Sequence, residues 1–250
     1  MEIGIYCTSI RPHLWNRLHA SLSHNDADWN LCITGPCPPT EPLPGNVKYI
    51  QTNVKPPQCC FIAANNTKGD YVLSVTDDTW LSYSALDRML QIITQKPRTI
   101  VGVSYPSNFL IPPTRPIDPP FLFITEFPWQ RSELIAKTSK LNFPFPLLPL
   151  MKREDFNNIG IDKNYVGALW EADIIFEHIA RGGRTEICDQ SFVYDIANHL
   201  GDLAFGVGDH AKLVDMWFTN NKIRAQRKTT IDPLIYNDTV ASYHYDKKEI

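Results

Sequence analysis

Gly69-Asp70-Tyr71-Val72-Leu73-Ser74-Val75-Thr76-Asp77-Asp78-Thr79-Trp80-Leu81 is the stretch on which the fold turns. Tyr71 to Val75 is nearly all apolar, as a strand covered on both faces should be. Gly69 stops the weak helical stretch before it, which runs from about Cys59 to Lys68. Asp77 and Asp78 follow the strand directly. Two acidic residues at the ligand-binding edge of a sheet can hold a divalent cation through oxygen. A solvated turn with a helix cap is the ordinary reading of such a pair, and the pair alone does not decide between them.

The same alternation of element types extends in both directions. Upstream, Ile3 to Cys7 reads as a buried strand, and Pro12 stands where a helix can begin. Leu14, Trp15, Leu18 and Leu22 recur at helical spacing, Leu31 to Ile33 begins a second strand, and Val47 to Ile50 reads as a third. Downstream, a helix from Ser82 or Ser84 carries Ala85, Leu86, Met89, Leu90 and Ile93 on one face, and Thr99 to Val103 is a further strand. Strands alternating with helices predict an α/β chain with an open, mostly parallel sheet.

From Ser104 to Leu150 the character changes. Ten of the 20 prolines lie there with seven Phe or Trp residues, which excludes long regular helix. The aromatic content argues against a disordered linker. An ordered excursion over the strand ends is expected, contributing the acceptor side of a site, with Trp129 as a flat apolar platform or as a local core residue. Regular structure resumes at Leu147, and Ile174, Ile175 and Ile179 mark one more helix closed by Gly182-Gly183.

With 43% hydrophobic and 20% charged residues, the 250-residue chain has ordinary globular composition. Its net charge of -3 gives no general attraction to nucleic acid or anionic membrane. No apolar run is long enough for a membrane span. The N-terminus reads as a strand rather than a signal peptide, so a cytoplasmic chain with reduced thiols is expected. The six cysteines, Cys7, Cys32, Cys37, Cys59, Cys60 and Cys188, fit neither a zinc site nor a disulfide scaffold. The adjacent pair Cys59 and Cys60 reads as two small residues at a helix start.

A second acidic group, Trp170-Glu171-Ala172-Asp173, opens the last clear helix. A group-transfer enzyme needs a carboxylate to take the proton from an acceptor hydroxyl. Residues two apart on a helix point different ways, so only one of Glu171 and Asp173 can easily serve one site. Acidic residues favoured by the helix dipole are the alternative.

Taken in order, these pieces resemble the GT-A glycosyltransferases of family 2, from Ile3 to about Gly183. Ile5-Tyr6-Cys7-Thr8-Ser9-Ile10-Arg11-Pro12 is similar to the family's opening strand and turn, and Gly69-Asp70-Tyr71-Val72-Leu73 to its entry into the metal-motif strand. Asp78, Trp80 and Leu81 fall on the metal-motif aspartate and the following Trp-Leu, and Leu86 on the next helix. Arg153-Glu154-Asp155-Phe156 and Gly160-Ile161-Asp162 look like the stretch before the catalytic helix. There, Glu171 takes the general base position and Asp173 that of an acidic residue two further on. The chain departs from the family at Thr76, which replaces the first metal-motif aspartate, at Thr34-Gly35, where an aspartate usually contacts the nucleotide base, and at Cys60-Phe61, which replaces an Arg-Asn pair.

The resemblance implies a Rossmann-like mixed, mainly parallel sheet with helices on both faces, a glycosyltransferase domain over 1–210 and a C-terminal extension over 211–250. It implies transfer of a sugar from a nucleoside-diphosphate sugar, UDP-sugar by default, to the hydroxyl of a glycan, a small molecule or modified DNA, with inversion. Asp78 would hold Mn2+ or Mg2+, Asp77 would touch metal or ribose, Thr8, Ser9 and Arg11 would line the nucleotide pocket, and Glu171 would be the base. His199 lies where a late histidine approaches the metal or diphosphate, or else is a structural histidine.

Other functions stay open on the residues. The basic run Lys222, Arg224, Arg227 and Lys228, with the aromatic excursion, motivates a transferase acting on a hydroxymethylated DNA base. The run is more ordinarily a solvated face. A sugar nucleotidyltransferase should carry a glycine-rich, basic phosphate loop after the first strand, and Thr8-Ser9-Ile10-Arg11 is not one. Loss of an aspartate at Thr76 motivates a non-catalytic nucleotide- or carbohydrate-binding module.

Overall fold

The structure is a computed structural model that describes residues 1–104, 146–163 and 170–195. Eight strands form one sheet in the order β3-β2-β1-β4-β7-β6-β8-β5. They are β1 (Glu2–Thr8), β2 (Asp28–Gly35), β3 (Val47–Gln51), β4 (Tyr71–Thr76), β5 (Thr79–Leu81), β6 (Thr99–Ser104), β7 (Leu147–Lys152) and β8 (Arg184–Asp195). Among the described residues five helices accompany them: α1 (Trp15–Leu22), α2 (Pro56–Asn65), α3 (Ala85–Gln95), α4 (Arg153–Ile159) and α5 (Trp170–Ala180). A 3-10 turn at Pro12–Leu14 leads into α1. β7 runs antiparallel to both β4 and β6, and β5 antiparallel to β8; the other pairings are parallel.

Alternation along the central strands builds a core on each face of the sheet. Ile3, Ile5 and Cys7 of β1 and Leu73 and Val75 of β4 pack under α1 and α3. The predicted α3 stripe of Ala85, Leu86, Met89, Leu90 and Ile93 is buried there in full. Tyr6, Cys32 and Val72 point the other way, against Cys60, Ala63 and Ala64 of α2 and Ile174 and Ile175 of α5. Each large apolar side chain so buried contributes roughly 1.5–3 kcal/mol. This two-sided cover explains why β4 reads as a nearly all-apolar run broken only by Ser74 before its end.

One helix start and two strands differ from the sequence reading. α2 starts at Pro56 because Pro56 and Pro57 fill the first helical positions, where no N–H is needed, and the Gln58 side chain accepts from the Lys55 amide. Regular structure does resume at Leu147, as a sheet strand to Lys152 with Leu150 fully buried. β5 and β8 carry no clear pattern in the sequence, and they pair with each other.

Gly69 is required where the chain enters β4. Its φ is +111°, and a Cβ there would lie 2.3 Å from the Glu2 carbonyl oxygen. Arg153 secures the same entry, donating from Nε to the Gly69 carbonyl at 2.6 Å and from Nη2 to the Thr67 hydroxyl at 3.0 Å. None of the described helices is long and apolar enough to cross a membrane. All six cysteines are free thiols, five of them buried.

Candidate active site

The parallel register aligns the carboxyl ends of three strands. Thr8 of β1 stands opposite Thr34 of β2 and Thr76 of β4. In open α/β sheets this edge is where ligands bind. After β1 the chain turns through Ser9 and Arg11, and after β4 through Asp77 and Asp78. These four residues, all expected from the sequence, form one bonded cluster.

The Ser9 hydroxyl donates to Asp77 Oδ2 at 2.5 Å and accepts from the Trp15 indole at 2.6 Å and the Arg11 amide at 3.0 Å. The Arg11 guanidinium grips both oxygens of Asp77, with Nε 3.2 Å from Oδ2 and Nη2 on Oδ1. The same Nη2 lies 2.8 Å from Asp78 Oδ2. Asp77 is buried, at 4% side-chain exposure, whereas Asp78 keeps 23%. Burial pushes the Asp77 carboxyl above the ordinary carboxylate value, and the bond from Arg11 opposes that rise. Burial likewise pushes the Cys7 thiol well up, reinforced by the charge of Asp77.

Local sequence makes this geometry. The Thr79 hydroxyl donates to the Thr76 carbonyl at 2.8 Å and closes the turn that presents both aspartates. Trp80 and Leu81 then bury completely in β5 and fix its far side. Ser9 donates its amide to the Thr34 carbonyl at 2.9 Å. Gly35 lies so close that a Cβ would meet the Ser9 carbonyl oxygen at 1.8 Å. Thr34 itself is turned inward, its hydroxyl 3.0 Å from the Cys59 carbonyl and 3.3 Å from that of Cys7. Thr8 interacts with the Cys59 thiol on the same face.

Glu171 stands apart from that cluster. It is half-buried in the first turn of α5, and its Oε1 accepts from the Ser74 hydroxyl at 2.6 Å. Ser74, in β4, lies three residues before Asp77 in the turn that follows, a separation of roughly 10 Å at strand rise. The buried Tyr6 phenol also bonds Ser74. Burial, and secondarily the charge of Glu171, raise the Tyr6 phenol and the Cys60 thiol well above their usual values. The Trp170 ring packs 6.1 Å from that of Tyr6. Asp173, two residues on, is 1% exposed, in keeping with a direction unlike that of Glu171.

Ser74, Tyr6 and Trp15 are the polar partners that the sequence reading did not single out. A hydroxyl in the middle of an otherwise apolar central strand was the available signal for Ser74. His199, Trp129, the Lys222 to Lys228 run and the 211–250 extension lie outside the described residues.

Among the described residues no three His, Cys, Asp or Glu side chains gather as a metal cage. A divalent cation that accompanies a diphosphate needs only one or two carboxylates, because phosphate oxygens and water supply the remaining ligands. Asp78, the partly exposed member of the pair, has the chemistry for that requirement, while Asp77 is buried and bonded to Ser9 and Arg11.

The sequence matches no protein-family model and no curated protein. The architecture does have solved counterparts. The structure of S. aureus TarS 1-349 in complex with UDP aligns over 100% of this chain and 72% of that one, with TM-score 0.58 and 10% identity. TarS 1-349 alone aligns over 97% and 70%, with TM-score 0.56 and 12% identity. Its complex with UDP-GlcNAc aligns over 97% and 71%, with TM-score 0.54 and 11% identity. The fold is GT-A. This GT-A chain spans 43% of the longer TarS structure. The carboxyl ends of β1 and β4 lie side by side at the edge where open α/β sheets bind ligands, and Ser9, Arg11, Asp77 and Asp78 converge there.

Proposed function

We propose that the chain is a glycosyltransferase that moves a sugar from a nucleoside-diphosphate sugar, with UDP-sugar as the default donor, to an acceptor hydroxyl with inversion. The observation that carries this reading is the cluster of Ser9, Arg11, Asp77 and Asp78 at the carboxyl edge of a GT-A sheet. The UDP and UDP-GlcNAc complexes of TarS support the donor class.

Asp78 would hold a divalent cation, Mn2+ or Mg2+, which neutralises charge on the departing diphosphate. Thr8, Ser9 and Arg11 would bound the nucleotide. Glu171 would take the acceptor proton, with Ser74 fixing the carboxylate so that the proton acceptor faces one direction. Positioning of the acceptor against that fixed carboxylate then supplies much of the acceleration.

Calorimetry with UDP and UDP-GlcNAc, each with Mn2+ and with chelator, tests the reading. Specific affinity that rises with Mn2+ and is lost in Asp78→Asn, with the fold intact by circular dichroism, is the expected result. Equal affinity with and without the ion, unchanged in that variant, removes the cation and Asp78 from the donor site. Release of UDP from the sugar donor separates an enzyme from a binding module of the same fold.

A further inference from the structure

The carboxylate pair already has a counter-ion. One guanidinium spans Asp77 and Asp78, and it is held there from behind. Ser9 fixes Asp77 at 2.5 Å, and Trp15 fixes Ser9 at 2.6 Å. Arg11 contributes one positive charge against the two negative ones, and its Nη2 stands 2.8 Å from Asp78 Oδ2. A cation approaching Asp78 therefore meets an oxygen already bonded and a fixed positive charge within a few ångströms. That repulsion is strong in a partly water-excluded site.

We propose that Arg11 and a divalent cation compete for Asp78, so that the ion binds weakly alone and enters together with a diphosphate that accepts the released guanidinium edge. The inference deepens the donor-site reading and rests on Asp78 as the cation ligand. Asp77 is the anchor that keeps Arg11 in place during the exchange, because Arg11 Nε still bonds Asp77 Oδ2 once Nη2 leaves Asp78. The flat, forked guanidinium suits this duty. It can rest on one carboxylate and offer its other edge to phosphate oxygens. Coupling between ion and nucleotide then follows in both directions.

The experiment measures Mn2+ alone, with no nucleotide, by electron paramagnetic resonance of the free ion. Arg11→Gln removes the competing charge and keeps an amide that can donate to Asp77. It should bind Mn2+ about tenfold more tightly than the wild type, or better. Arg11→Lys keeps the charge but cannot span both carboxylates, so a smaller gain of about threefold is expected. This second variant decides the matter if Arg11→Gln does not fold. The gain should vanish in Asp78→Asn combined with either change. Unchanged or weaker Mn2+ affinity in a folded Arg11 variant overturns the competition while leaving Asp78 as a ligand. Mn2+ binding that ignores Asp78→Asn in every background overturns the site reading and the competition with it.

Discussion

The Ser74 hydroxyl donates to Glu171 Oε1 at 2.6 Å, joining the middle of the central strand to the first turn of α5 across 97 residues of sequence. A carboxylate that must accept a proton in one orientation gains from such a fixed partner. Ser74→Ala should lower turnover about tenfold, the size of one lost charge-assisted hydrogen bond. UDP affinity should stay near that of the wild type, and Ser74→Thr should restore part of the rate. Donor hydrolysis with UDP-GlcNAc, read as UDP release, checks it. Unchanged turnover in the alanine variant would make the contact a packing detail.

Glu171→Gln keeps the shape and removes the proton acceptor, so turnover should fall about a hundredfold or more while donor binding persists. Asp173→Asn addresses a different carboxylate. Asp173 is 1% exposed, so its change should appear as lost stability, roughly 1–3 kcal/mol in a denaturant titration, with turnover of the folded fraction retained. The reverse pattern, a dead Asp173 variant and an active Glu171 variant, would assign the base to the other residue.

Gly35 carries no chemistry, yet the proposed nucleotide side of the site leans on it. A Cβ there would stand 1.8 Å from the Ser9 carbonyl oxygen, so Gly35→Ala must push the β1 turn away from β2. Overpacking of this kind costs about 1–3 kcal/mol. The displaced Ser9 should also loosen Asp77, weakening UDP affinity beyond the fall in melting temperature. Calorimetry on the folded variant at low temperature separates the two effects.

His178 gives the pH dependence its sign. It is 3% exposed, and burial lowers its pKa below the ordinary 6.5, opposed by its bond to the Arg98 carbonyl. The unfolded chain therefore binds a proton more readily than the native one. Stability from the neutral ring is fully present above pH 6.5, falls as pH drops below that value, and levels off below the lowered native pKa. Melting temperature should fall from pH 7.5 toward about pH 5, and His178→Gln should flatten that part of the slope. An identical slope in the variant would place the acid sensitivity elsewhere.

Legibility in the sequence followed how local each signal was. Tyr71–Val75, Ile3–Cys7 and the α3 stripe were readable because burial on a sheet or helix face leaves a periodic or unbroken apolar pattern in adjacent residues. β8 was not. Its run Glu186-Ile187-Cys188-Asp189-Gln190-Ser191 mixes charge and small residues, and its strand character comes from pairing with β6, which no local pattern encodes. β5 is three residues long, too short for any period. In the candidate site, Asp77 and Asp78 were legible from their place after a strand, and Ser9 and Arg11 from the family resemblance of the opening strand and turn. Their mutual bonding was not, because it depends on β1 and β4 lying side by side. Ser74 was hidden for a related reason: only the crossing of α5 over β4 makes that hydroxyl different from one tolerated in a core.

The position of β7 has a consequence for how this scaffold can change. β6 and β7 are neighbours in the sheet, with Val103 opposite Leu147. Whatever joins them must begin and end at two points about 5 Å apart. The sheet fixes where such a join begins and ends, and not its length. Doubling such a segment adds only about 0.6 kcal/mol of closure entropy. Residues 105–145 are therefore a natural graft point, where a segment from another scaffold could be installed between Ser104 and Pro146 without altering either strand. An exchange at that single pair of junctions would test whether the proposed acceptor preference travels with the segment, apart from the residues at the carboxyl edge of the sheet.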